Sequence, residues 1–185
     1  MTTNGFPSKH TITALVLDKP GVLNRISSMF RRRGFNIASL AVGQSEQPDL
    51  SRMTFVVEGD DAVVEQVTKH LNKLIDVIRV FDISKENTIS RELALIRVRS
   101  NVQSRSEIMQ IVDIFRANIV DVAEDSLIIE VTGDEDKVDS LQNLLRSFGV
   151  MEVMRTGTVA MNRGLGVGPT RGRKQTASWG EASSV

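Results

Sequence analysis

The sequence predicts an α+β protein made of two repeated units, each running strand, helix, strand, strand, helix, strand. Three observations carry this. Met53-Thr54-Phe55-Val56-Val57-Glu58-Gly59-Asp60 returns as Leu127-Ile128-Ile129-Glu130-Val131-Thr132-Gly133-Asp134, an apolar run closed by Gly-Asp and offset by about 74 residues. The match persists downstream, pairing Val67 with Leu141, Leu71 with Leu145, Leu74 with Phe148 and Val77 with Met151. Around both runs, strand-like and helix-like segments alternate in one order. A long period that occurs only twice indicates two small domains of one fold, because a solenoid needs several stacked repeats to bury its core.

In the first unit, expected over residues 9–83, Thr11 to Leu17 reads as a strand and Asp18-Lys19-Pro20-Gly21 breaks it. Val22, Leu23, Ile26, Met29 and Phe30 then recur at one-helix-face spacing, and Gly34 stands where a helix end favours a left-handed residue. Asn36 to Val42 and Met53 to Glu58 read as a strand hairpin around a polar loop with Pro48. A helix over 60–74 turns Val63, Val64, Val67, Leu71 and Leu74 inward, and Val77 to Ile83 closes the unit. Residues 84–92 read as a polar, irregular linker. The second unit, 93–163, repeats the order as Leu93 to Val98, Ser106 to Phe115, Ile119 to Ala123, Leu127 to Thr132, Lys137 to Phe148 and Val150 to Arg155. The glycine-rich, then Ser/Ala-rich stretch 164–185 cannot bury a core and is expected to be disordered. Each unit is thus expected to be a ferredoxin-like antiparallel sheet with both helices on one face. Units this small borrow stability from neighbours, so a homodimer is expected.

Composition narrows the function classes. Among 185 residues, 23 basic side chains balance 23 acidic ones, which leaves no global pull toward nucleic acid or anionic lipid. The absence of cysteine excludes disulfides and thiolate metal sites, and two histidines, His10 and His70, make no histidine-rich metal centre. No stretch approaches the length of a membrane span and Met1 to Lys9 has no secretory core segment, so a reducing compartment is expected, the cytoplasm or a plastid-like stroma. Hydrolase chemistry finds neither a Gly-x-Ser-x-Gly elbow nor a cysteine. Gly164-Leu165-Gly166-Val167-Gly168 has phosphate-loop spacing but no helix after it. Arg31-Arg32-Arg33 complements a helix C-terminus. The central strands lack the aromatic platform of an RNA-binding sheet.

The strongest local signal is Asp18-Lys19-Pro20-Gly21-Val22-Leu23. Gly21 precedes a helix whose first N–H groups have no internal partner, so a carboxylate can approach them. Asp18 can hold an ammonium, Asn36 brings an amide, and Val22, Leu23 and Ile37 supply apolar lining. Together they suit an aliphatic amino acid, whereas a plain turn at a helix start would also use Pro-Gly. The matching turn of the second unit, Ser100-Asn101-Val102-Gln103-Ser104, lacks Pro-Gly, which sets the first apart.

These residues resemble the small, regulatory subunit of acetolactate synthase, also called acetohydroxyacid synthase. Asp18-Lys19-Pro20-Gly21-Val22-Leu23-Asn24-Arg25-Ile26 and Arg33-Gly34-Phe35-Asn36-Ile37-Ala38-Ser39-Leu40 match an ACT-domain signature. Leu50-Ser51-Arg52-Met53-Thr54, Leu71-Asn72-Lys73-Leu74-Ile75-Asp76-Val77, Arg91-Glu92-Leu93 and Ile114-Phe115-Arg116 extend the likeness over roughly 9–164. The resemblance implies a noncatalytic subunit that activates a separate large catalytic subunit and makes it sensitive to valine in branched-chain amino acid biosynthesis. It implies that thiamine diphosphate, magnesium and FAD sit on the large subunit, with no cofactor or metal in this chain. It also implies effector binding by Gly21 and Asn36 where ACT domains meet in a homodimer, and a second unit that contacts the catalytic subunit. Asp18 departs from the asparagine that members often carry. The rivals are a stand-alone ACT-domain sensor acting on another enzyme or regulator, and a small independent enzyme, for which no paired acid and base are present.

Overall fold

In the computed structural model of the protein, residues 8–164 are described. The first unit comprises β1 (Ser8–Leu17), α1 (Val22–Arg33), β2 (Ile37–Gln44), β3 (Leu50–Gly59), α2 (Asp61–Leu71) and β4 (Val77–Asp82). The second comprises β5 (Thr88–Arg99), α3 (Arg105–Ile114), β6 (Asn118–Val122), β7 (Ser126–Gly133), α4 (Glu135–Leu145) and β8 (Val150–Arg155), followed by β9 (Val159–Asn162). Strand orders are β2-β3-β1-β4 and β6-β7-β5-β8, all neighbours antiparallel, so the two units share one topology. The predicted α+β class holds.

Each sheet buries its alternate residues against its own helices. In the first, Ile12, Ala14, Val16, Met53, Phe55 and Val57 meet Val22, Ile26, Met29 and Phe30 of α1 and Val64, Val67 and Leu71 of α2. Phe30 stacks on Phe55 with ring centroids 5.4 Å apart. In the second, Ala94, Ile96, Val98, Leu127, Ile129 and Val131 meet Ile108, Val112, Val138, Leu141 and Leu145, an aliphatic core. The repeated Gly-Asp has a local cause at both places. Asp60 Oδ1 accepts from Val63 N–H, and Asp134 Oδ1 from Lys137 N–H, both at 2.9 Å, capping α2 and α4.

The structure departs from the sequence reading in four places. The stretch 84–92, expected to be irregular, is strand from Thr88, because β5 extends back to pair with β9, Thr88 opposite Asn162 and Arg91 opposite Val159. β9 itself was not anticipated. α2 stops at Leu71, where Asn72 N–H bonds Thr68 O, and residues 72–76 form a turn. Leu23, placed on the inward face of α1, is 49% exposed; the buried face is Val22, Ile26, Met29 and Phe30. The expectation of disorder for the C-terminal stretch falls on 165–185, outside the described residues.

Candidate functional site

Gly21 is the residue before α1 and adopts φ 87°, ψ −8°, a left-handed conformation open to glycine at no steric cost. Pro20 presets the turn. Among the described residues no side chain caps α1, and its first turn has no acid. Val22 N–H reaches Lys19 O (3.3 Å) and Arg25 N–H reaches Gly21 O (3.0 Å), whereas among the described residues the N–H groups of Leu23 and Asn24 meet no acceptor. Among the described residues a Cβ built on Gly21 would find nothing within 4 Å, so no neighbouring atom crowds that position. The site therefore offers free donors, the positive end of a helix dipole and room for an anion.

The preceding loop is held by backbone hydrogen bonds to two other loops. Leu17 N–H donates to Asp76 O (2.9 Å) and Asp18 N–H to Asp49 O (2.8 Å). The Asp76 carboxylate is buried and paired with Arg25 of α1, which ties the helix start to the turn before β4. Asp18 itself is exposed and makes no ion pair among the described residues.

The other predicted site residues are distributed unevenly. Val22 is buried in the core of its own unit, so it contributes backbone and not lining. Leu23 is available as an apolar surface, and Ile37 is half-buried against the same core. Asn36 is exposed, and its Nδ2 donates to Glu58 Oε2 at 2.9 Å. Asn36 also lies beyond the far end of α1 from Gly21. Twelve helical residues separate the two, a span of about 18 Å at 1.5 Å rise per residue. One chain does not bring Gly21 and Asn36 together.

The same place in the second unit is built differently. Asn101 Oδ1 accepts from Gln103 N–H (2.9 Å) and Ser104 N–H (2.8 Å), and Ser104 Oγ accepts from Asn101 N–H (3.0 Å). Arg105 donates to Ala123 O (2.8 Å), Glu124 O (3.0 Å) and Ser100 Oγ (3.2 Å). This turn is bonded internally by its own side chains, and no glycine is needed. Among the described residues no group of three or more His, Cys, Asp or Glu side chains could hold a metal, and no helix is long and apolar enough to cross a membrane.

Besides Asp76, a second buried carboxylate escaped the sequence reading. Glu92, at the start of the second sheet, is buried with its Oε1 2.9 Å from Arg155, which also meets Asp139 at 2.6 Å. Burial pushes its carboxyl above the ordinary value, and Arg155 pulls against that. Lys9 of the first unit pairs with Glu135 beside this cluster, and that hydrogen bond raises the lysine's affinity for its proton. A lone polar residue amid a polar stretch gives no sequence signal for such burial.

Comparison with known proteins places these features in a family. Residues 12–79 match the model described as "AHAS small subunit-like ACT domain", and residues 91–164 that described as "Small subunit of acetolactate synthase". The chain is 61% identical over 156 residues to a probable acetolactate synthase small subunit of Archaeoglobus fulgidus, covering 84% of this chain and 98% of the relative. It is 51% identical over 162 residues to the acetolactate synthase small subunit of Mycolicibacterium smegmatis, covering 88% and 95%. The crystal structure of the small subunit from Thermotoga maritima superposes with a TM-score of 0.78 at 47% identity, covering 84% of this chain and 98% of that one. The chain belongs to the family of acetolactate synthase small subunits.

Proposed function

We propose that this chain is the noncatalytic regulatory subunit of an acetolactate synthase of branched-chain amino acid biosynthesis, that it activates a large catalytic subunit, and that it carries feedback inhibition by valine. The observation that carries the effector reading is the unfilled N-terminus of α1 behind the left-handed Gly21, in one copy of a duplicated unit whose other copy closes that turn with Asn101 and Ser104. A valine carboxylate accepts from Leu23 and Asn24 N–H at the positive end of α1. Asp18 faces the ammonium, and the aliphatic side chain packs on Leu23 and Ile37.

Two copies complete the site. Among the described residues β2 is an edge strand of its sheet, and an edge strand presents backbone donors and acceptors to a partner strand. Antiparallel pairing of two β2 edges about a two-fold axis runs the α1 helices in opposite directions, which sets the Gly21 end of one chain beside the Asn36 end of its twin. Valine at that seam favours one arrangement of the dimer. Because the large subunit is held by the same dimer, with the second unit over residues 93–163 as the contact, the shift changes turnover. Thiamine diphosphate, magnesium and FAD belong in this reading to the large subunit, and the complex works in the cytoplasm.

The test is reconstitution. The isolated chain should condense no pyruvate, should raise the activity of its cognate large subunit, and should render it inhibited by valine. Pyruvate condensation by the chain alone, or no effect on the large subunit, would refute the reading.

A further inference from the structure

Besides the Lys9–Glu135 pair, the two units touch where β8 turns into β9. Thr158 N–H donates to Ser39 Oγ at 2.9 Å, a bond spanning the units. Gly157 beside it has φ +81°, and a Cβ there would lie 2.9 Å from Ser39 Oγ and 3.0 Å from Leu40 O. Only glycine seats this corner without displacing β2. The corner is also fixed to the second sheet: Thr156 N–H donates to Leu93 O (3.0 Å), Leu93 N–H to Thr156 Oγ1 (3.1 Å), and β9 continues as a ribbon on β5.

Ser39 has a particular place in β2. It pairs with Val56, on the sheet face away from the helices, immediately after the irregularity between Ile37 and Ser39 where β2 slips register on β3. Ile37 and Asn36, on the other side of that slip, are candidate effector residues. A displaced bulge re-aims the residues that follow it, so a change at Asn36 and Ile37 meets the second unit at Ser39 first.

We propose that the Gly157–Thr158 corner seated on Ser39 is the joint through which occupancy of the effector site reaches the second unit. The inference rests on the effector reading above and adds two positioning residues, Ser39 and Gly157, that do not touch the ligand. Loss of the Ser39 hydroxyl uncouples response from binding, and Gly157→Ala does the same by forcing the corner off β2.

The experiment compares wild type, Ser39→Ala, Ser39→Thr and Gly157→Ala full-length chains by valine calorimetry and, with the large subunit, by activation and valine inhibition. In Ser39→Ala, valine affinity and activation should stay within about twofold of wild type. Inhibition at saturating valine should shrink, the coupling between site and turnover falling about tenfold, the scale of one lost hydrogen bond. Ser39→Thr, which keeps the hydroxyl, should inhibit nearly normally. Hydrogen exchange should show valine altering protection of residues 158–162 in wild type and not in Ser39→Ala. Unchanged inhibition in Ser39→Ala, or valine binding lost in step with inhibition, overturns the joint, and this holds even if Gly157→Ala fails to fold. A wild-type chain that binds no valine overturns the effector reading itself, before any variant is compared.

Discussion

The two units share strand order, helix caps and core positions, yet one is open where the other is closed. At the start of the first helix, the first unit has Gly21 with an unfilled space above it, and the second has the internally bonded turn from Asn101 to Arg105. On the outer face of the sheet the contrast reverses. Leu15 and Val56 of the first sheet are 7% and 6% exposed although they face away from the helices, while Leu95 and Met154, paired across the second sheet, are 37% and 62% exposed. Duplication supplied two scaffolds. Divergence left an uncapped helix start on one and an exposed apolar sheet face on the other, the division of labour expected if, as proposed, one unit senses and the other docks.

The largest effect expected from breaking this comparison is in the cores. Phe30 of α1 and Val112 of α3 occupy the same place, since Phe35 N–H bonds Phe30 O (3.1 Å) as Ala117 N–H bonds Val112 O (3.0 Å). Phe30→Ala empties the aromatic stack on Phe55 and should cost ~3–5 kcal/mol, whereas Val112→Ala removes less volume and should cost about half as much. Denaturant unfolding of both variants measures this. Equal losses would mean that the aromatic core adds nothing to the first unit.

Asn36→Ala comes next. It deletes an exposed amide that bonds Glu58 and that, in the proposed dimer, meets the ligand, so on that reading valine affinity should fall by up to about a hundredfold with little change in stability. Calorimetry with valine checks it, and Asn118→Ala, which removes the comparable bond to Glu130, should leave valine affinity unchanged.

A smaller effect concerns the far end of the same helices. Gly34 and Arg116 both take left-handed conformations, φ 69° and φ 49°. Arginine pays there for what glycine does freely, so Arg116→Gly should stabilise the second unit by about 0.5–1 kcal/mol and Gly34→Ala should destabilise the first by a similar amount. Thermal unfolding of the pair tests the symmetry.

The smallest is a matter of pH. Burial raises the Glu92 carboxyl above its unfolded value, so between the two values the native state binds more protons and stability falls as pH rises through that window. The window opens near the ordinary glutamate value, about 4.3, and extends upward. Glu92→Gln should flatten stability against pH there; a curve parallel to wild type would show that Arg155 fully compensates the buried charge.

Much of this contrast was legible in the sequence. The repeated apolar runs closed by Gly-Asp announced the duplication, the helical spacing located both cores, and the missing Pro-Gly in the second copy marked the two turns as different. The ribbon was hidden because Thr88-Ile89-Ser90-Arg91 is short and largely polar, and becomes strand only through pairing with residues 159–162, far along the chain. The outward turn of Leu23 was hidden because helical spacing alone cannot fix which edge of an apolar face is buried. Glu92 was hidden because its burial depends on Arg155 arriving from β8. Local chemistry reads well from sequence; non-local pairing does not.

The central claim is that the effector acts at the Gly21 end of α1 and nowhere in the second unit. A valine titration of the reconstituted enzyme with Gly21→Asp, compared with Asn101→Ala and wild type, tests it most directly. Aspartate tolerates a left-handed backbone better than most residues and sets a carboxylate where the ligand's own should bind. The account predicts activation retained in both variants, valine inhibition weakened about a hundredfold or more in Gly21→Asp, and wild-type inhibition in Asn101→Ala. Full valine sensitivity in a well-folded Gly21→Asp enzyme, or equal insensitivity in Asn101→Ala, would contradict it.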